Sequence, residues 1–106
     1  MLELAMRYFD LWNSQNIDGL KEIFSDDVSL HDWEINKTGI EDVLLANTNI
    51  FESVPNIRAS VKDIALSDNQ IMAEVIIHIN DNETLDVVDI LTVTNGKISS
   101  IKAFKK

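Results

Sequence analysis

At Pro55, the only proline in the chain, the spacing of apolar residues changes from helical to alternating. Before it, Leu2, Ala5, Tyr8, Phe9 and Trp12 recur at the interval that places side chains on one face of a helix, and the pattern stops near Asn13-Ser-Gln-Asn16. Asp18 is placed to cap a short second helix whose apolar face is Leu20, Ile23 and Phe24. Ser25-Asp-Asp27 ends that helix before a strand from Val28 to about Ile35. Asn36-Lys-Thr-Gly39 reads as a loop. A third helix, about Ile40 to Glu52, carries the stripe Ile40, Val43, Leu44, Asn47, Ile50 and Phe51. Beyond Pro55 the alternation predicts strands near Ile57 to Leu66, Gln70 to Asn80, Glu83 to Thr94 and Lys97 to Lys105. Their connections are of hairpin length, and Asn95-Gly96 is the clearest turn, since both residues tolerate the positive φ of a tight hairpin. The order ααβαββββ predicts an α+β fold, with helices followed by an antiparallel meander. No repeat, linker or low-complexity tract divides residues 1–106, so one domain is expected.

Charge narrows the partners. Eighteen acidic residues against nine Lys and Arg give a formal charge of −9, which disfavours nucleic acid, anionic membranes and anionic substrates. No segment approaches a membrane span, and the N-terminus lacks the pattern of a signal peptide, so a cytoplasmic protein is expected. There is no cysteine, and two isolated histidines do not make a zinc motif. Neither a metal nor an organic cofactor is expected.

Two carboxyls break otherwise apolar faces. Alternation groups Asp32 with Val28 and Leu30, and Asp89 with Leu85, Val87, Leu91 and Val93. A carboxylate is costly to bury, so each needs a partner, a raised pKa, or a pocket that admits ligand or water. Asp86 takes the opposite parity and carries no predicted chemistry. His31 and His78 also face away from the inward residues of their strands, as interface or surface groups. Along Gln70 to Asn80, Ile71, Ala73, Val75, Ile77 and Ile79 share one side, while Met72, Ile76 and His78 populate the other. That second side is apolar enough to predict a homodimer through the sheet.

Arg7-Tyr8-Phe9 on the first helix, Phe24-Ser-Asp-Asp27 before the first strand, Asp32, and Leu85-Asp-Val-Val-Asp-Ile90 together resemble the NTF2-like superfamily. Within it the likeness is to ketosteroid isomerases and SnoaL-like proteins, over nearly the whole chain. The resemblance implies a cystatin-like cone in which a curved, mainly antiparallel sheet wraps three helices around an apolar pocket, usually in a homodimer. It also implies roles: Asp32 as the base that moves a proton α to a carbonyl, with Tyr8 and a protonated Asp89 donating to the enolate oxygen. Asn47 stands where those isomerases commonly have a second Tyr, Trp33 where a Pro-containing turn follows the base, and Lys105 where an aromatic lines the pocket.

Trp12, Phe24, Trp33, Asn47, Phe51 and Phe104 are the candidate substrate-binding residues. Each also has a purely structural reading. Asp32 can cap a loop or meet Lys37; Asp89 can bond a neighbouring hydroxyl or backbone group; Tyr8 can be a core aromatic. Asn47, polar on an apolar stripe, needs a partner, either Tyr8 or ligand. The expected function is acid/base chemistry on a small, apolar carbonyl compound. The alternatives are a non-catalytic ligand-binding or dimerisation protein, and a dehydratase, hydrolase or cyclase of the same fold, which a pocket Asp–His pair would favour.

Overall fold

Ala5, Tyr8, Phe9 and Trp12 form the buried stripe of α1 (Leu2–Asn13) in a computed structural model that describes residues 1–106. The remaining elements are α2 (Ile17–Ile23), β1 (Phe24–His31), β2 (Asn36–Thr38), α3 (Ile40–Ser53), β3 (Arg58–Leu66), β4 (Gln70–Asn80), β5 (Glu83–Thr94) and β6 (Lys97–Lys105). Three helices thus pack on a six-stranded sheet, and the expected order stands with one addition, since Asn36–Thr38 is a short edge strand and not a loop. No helix is long and apolar enough to cross a membrane.

The strands lie in the order β2-β1-β6-β5-β4-β3. All neighbours are antiparallel except β1 and β6, which run parallel and so bring the first long strand beside the last. Alternation puts Ile71, Ala73 and Val75 of β4 on the helix side with Val87, Asp89 and Leu91 of β5, and all of them are buried. Register shifts between Phe24 and Ser29, Val61 and Asp63, His78 and Asn80, and Thr92 and Val93 bend the strands at four places, which curves the sheet around the helices. The β5–β6 turn is closed by Thr94 opposite Lys97, with Asn95 at φ 53° and Gly96 at φ 80°. Both central residues of a tight right-twisting hairpin require that left-handed backbone.

Several boundaries differ from the sequence reading. Asn16, not Asp18, caps α2, its side-chain oxygen accepting from the Gly19 N–H at 2.9 Å. Phe24 leaves the helix: its backbone is extended (φ −91°, ψ 143°), it pairs with Ile98, and Ser25-Asp-Asp27 belongs to the irregular start of β1. β1 ends at His31 instead of Ile35, because Asp32 opens a tight reversal into β2 in which its N–H donates to the Ile35 carbonyl at 2.9 Å.

Asn13 ties the helix layer to the sheet. Its amide donates to the Ala59 carbonyl at 2.9 Å while its oxygen accepts from the Ala59 N–H at 2.7 Å, so one side chain satisfies both backbone groups of a residue on the edge strand β3. Asn13→Ala is expected to lower stability by about 1–2 kcal/mol. In urea titration it should shift the midpoint and leave the slope unchanged.

Candidate functional site

Between the concave face of the sheet and the helices lies a cavity of about 300 Å³, and sixteen of its twenty lining residues are hydrophobic. Tyr8, Asp32 and Asp89 all line it, as do Trp12, Trp33 and Asn47. Leu30, Ile77, Ile79 and Leu85 add to the walls from strands whose parity already pointed inward, Glu34 adds an acid from the turn after β1, and Val54 precedes Pro55, between the helical and the alternating pattern.

Asp89 is held on β5 between two alanines, Ala73 on β4 and Ala103 on β6. Neither neighbour offers a polar group, and neither has the bulk to cover the carboxyl. Asp89 is 8% exposed and makes no hydrogen bond to the protein, and its carboxyl oxygens keep a little access to the cavity. Burial, and then the charge on Asp32, push its pKa from 3.8 up to about 7. Tyr8 projects from α1 with its ring edge-on to Phe9 and tilted against Phe24. Its hydroxyl also has no protein partner, and burial, helped by Asp89, raises its pKa well above the ordinary phenol value. Two proton donors therefore face one apolar space.

Asp32 is anchored differently. Its Oδ1 accepts from the backbone N–H groups of Glu34 at 2.8 Å and Ile35 at 2.6 Å, so the loop-capping reading holds for that oxygen, and no ion pair to Lys37 forms. Oδ2 has no such bond. A single side chain thus fixes the turn and keeps one oxygen for the cavity.

The polar residue on α3 has a third kind of partner. Asn47 accepts from the Trp12 indole N–H at 3.0 Å and donates to the Val43 carbonyl at 3.0 Å, so it serves neither Tyr8 nor an empty position. Trp33 is 40% exposed at the cavity mouth, where the Lys105 ammonium lies 5.3 Å from its ring centroid.

Three predicted lining residues do not line the cavity. Phe24 is buried behind Tyr8, and Phe51 packs edge-on to Trp12 at 5.3 Å, so in each case the α1 residue forms the wall. Phe104 is 58% exposed on the opposite side of the sheet. The reason is a bulge: Ile98 pairs with Val93 and Ser100 with Thr92, which leaves Ser99 extra and reverses the parity of β6 beyond it. Neither histidine reaches the cavity. His78 shares a 2.9 Å hydrogen bond with the Ser60 hydroxyl on the outer face, and His31 is exposed. No three His, Asp or Glu side chains converge as metal ligands would.

The model of the SnoaL-like domain matches residues 5–101. The chain belongs to the SnoaL-like family. Among solved structures, this SnoaL-like domain is similar to a candidate SnoaL-like polyketide cyclase from Jannaschia sp. CCS1, with a TM-score of 0.88 and 16% identity over 99% of this chain and 84% of that one. It is similar to a candidate ketosteroid isomerase from Kribbella flavida DSM 17836, with a TM-score of 0.85 and 22% identity over 98% and 76%. A protein of unknown function with a cystatin-like fold from Xanthomonas campestris matches with a TM-score of 0.88 and 19% identity over 98% and 88%. These likenesses establish the NTF2-like, cystatin-like fold. No curated protein sequence matches the chain.

The SnoaL-like domain should become less stable as Asp89 ionises. The folded state keeps this proton up to about pH 7, whereas an unfolded carboxyl releases it near 3.8. The stabilisation is therefore fully present below the unfolded value and is lost as pH rises through the folded one. Asp89→Asn, a neutral replacement of the same shape, should gain on wild type by on the order of 3–4 kcal/mol between about pH 4 and pH 8. A gap that stays constant across chemical denaturation curves at the two ends of that range would show that Asp89 carries no extra proton.

Proposed function

We propose that this SnoaL-like domain catalyses proton transfer at the carbon α to a carbonyl in a small apolar compound. One observation carries the reading: Asp32, Asp89 and Tyr8 line a single, mostly apolar cavity in which the last two have no protein partner. Asp32 Oδ2 takes the α-proton, the electron pair of the broken C–H bond forms the enolate C=C bond, and the carbonyl π pair moves onto oxygen. Tyr8 and protonated Asp89 then donate hydrogen bonds to that oxygen, where an apolar wall makes each bond stronger than it would be in water. Return of the proton from Asp32 to a different carbon completes an isomerisation. Every atom of the substrate is kept, and the carboxylate is regenerated.

Asp89 suits the donor role because its pKa near 7 keeps much of it protonated around neutrality, burial raising it first and the like charge of Asp32 adding to that. A non-catalytic binding function is the second reading. It is favoured by Asn47, which bonds Trp12 and so gives Tyr8 no supporting donor from α3. The Asp–His arrangement that would favour a dehydratase or hydrolase is absent from the cavity walls. We also propose that Met72, Ile76, Val88 and Ile90, half-buried on the outer side of the sheet, are covered by a second copy of the chain.

Deuterium exchange separates catalysis from binding. Wild type should exchange the α-protons of a monocyclic β,γ-unsaturated ketone into deuterated water, and Asp32→Asn should reduce the rate by about 10²-fold or more while near-UV circular dichroism is preserved. Equal rates for the two would remove Asp32 as the base. Tyr8→Phe should weaken binding of a naphtholate oxyanion mimic by about tenfold. For the assembly, light scattering should give twice the chain mass, and Ile90→Lys should give the monomer. A wild-type monomer at about 50 µM would eliminate the proposed interface.

A further inference from the structure

The two strand ends nearest the cavity mouth do not finish together. In the parallel pairing, β1 stops at His31 opposite Lys102, while β6 continues to Lys105 with β5 alone beside it. The resulting crevice has His31 and Trp33 on one side and Lys102, Phe104 and Lys105 on the other. It shares Asp32, Trp33 and Ala103 with the cavity, so the same three residues wall both spaces. The crevice therefore adjoins the cavity beside Trp33.

Two lysines and a histidine gather at this crevice, unpaired with carboxylates like most basic residues of the chain. Eighteen carboxylates are available to nine Lys and Arg, yet the two ion pairs present are Arg7–Glu22 and Lys106–Glu74. Lys102 and Lys105 have no carboxylate within ion-pairing distance, and Lys105 rests over the Trp33 ring instead. Lys102 also directly faces His31 across the pairing, so His31, Lys102 and Lys105 border one crevice whose one acid is Asp32, with its Oδ1 turned to backbone donors. Adjacent cations repel one another, and an anion placed between them removes that repulsion while gaining charge-assisted hydrogen bonds. Trp33 and Phe104 supply apolar surface on either side for a linking carbon chain or ring.

We propose that this crevice binds an anionic group, a carboxylate or a phosphate, at the far end of the substrate whose carbonyl end occupies the cavity. The proposal rests on the proton-transfer reading of that cavity and adds an anionic terminus, held outside the cavity, to a substrate that is apolar around its carbonyl. A formal charge of −9 disfavours anions at long range, but screening confines such effects to roughly 8–10 Å, and near the mouth Lys102 and Lys105 offset Asp32 and Glu34.

Three fluorescent probes test it: β-naphthol, a hydroxynaphthoate with its carboxylate on the far ring, and the corresponding naphthol bearing a phosphate ester there. The hydroxyl of each addresses Tyr8 and Asp89. If the crevice takes anions, at least one charged probe binds about tenfold tighter than β-naphthol at about 20 mM salt. That preference falls at least about threefold in Lys102→Gln, falls further in the Lys102→Gln/Lys105→Gln double variant, and shrinks in about 300 mM salt. The better charged probe decides between carboxylate and phosphate. Charged probes that bind no better than β-naphthol, or whose advantage survives both substitutions, overturn the proposal alone, provided β-naphthol binding depends on Tyr8 and Asp89. If β-naphthol binding does not depend on those two residues, the proton-transfer reading fails and the proposal falls with it.

Discussion

A carboxyl group buried without a partner constrains everything near it. Asp89 is flanked by Ala73 and Ala103, faces apolar side chains from α1 and the sheet, and answers the cost of desolvation by holding its proton instead of acquiring a counter-ion. A lysine or arginine in the same space would pair with it, and a core leucine would fill the space; either would end the donor role. Small neighbours, a dry wall and a distant like charge are therefore one arrangement seen from three sides. The helices serve it by excluding water, and the buried Trp12–Asn47 hydrogen bond holds the ring that forms one wall.

The two aspartates differ because their backbones differ. Asp89 lies inside a regular strand, where the ladder uses the backbone groups and leaves none to solvate the side chain. Asp32 lies just past the end of β1, where a reversal frees the N–H groups of Glu34 and Ile35 to solvate one oxygen. One chemical group thus reaches two electrostatic states through local geometry alone. The cavity mouth follows a similar rule: Trp33 is carried by the same turn, so the residue that narrows the entrance moves with Asp32.

Most of the fold was legible because long regular segments keep their parity. From Leu85 to Leu91 nothing interrupts β5, so alternation correctly separated Asp89 from Asp86, and helical spacing correctly turned Tyr8 and Trp12 inward. Parity failed at two irregularities. Ser99 reverses the faces of β6 and sends Phe104 outward, and the irregular start of β1 takes Phe24 from the helix. Partners distant in sequence were illegible for a different reason. That Asn47 answers Trp12, or that Lys105 lies over Trp33, depends on how elements cross, and no local pattern encodes a crossing.

The parallel pairing of β1 with β6 also bears on how the molecule comes together. Each antiparallel neighbour pair from β3 to β6 can close as a hairpin soon after its second strand emerges, but β1 must wait, with only the three-residue β2 beside it, until β6 is present. Such distant pairing is entropically expensive and comes late in folding. Until it forms, Asp32 has no fixed place relative to Asp89. A ribosome-bound chain lacking β6 would thus carry Asp89 and Tyr8 without Asp32 fixed beside them, and the three would come together only at the final docking step.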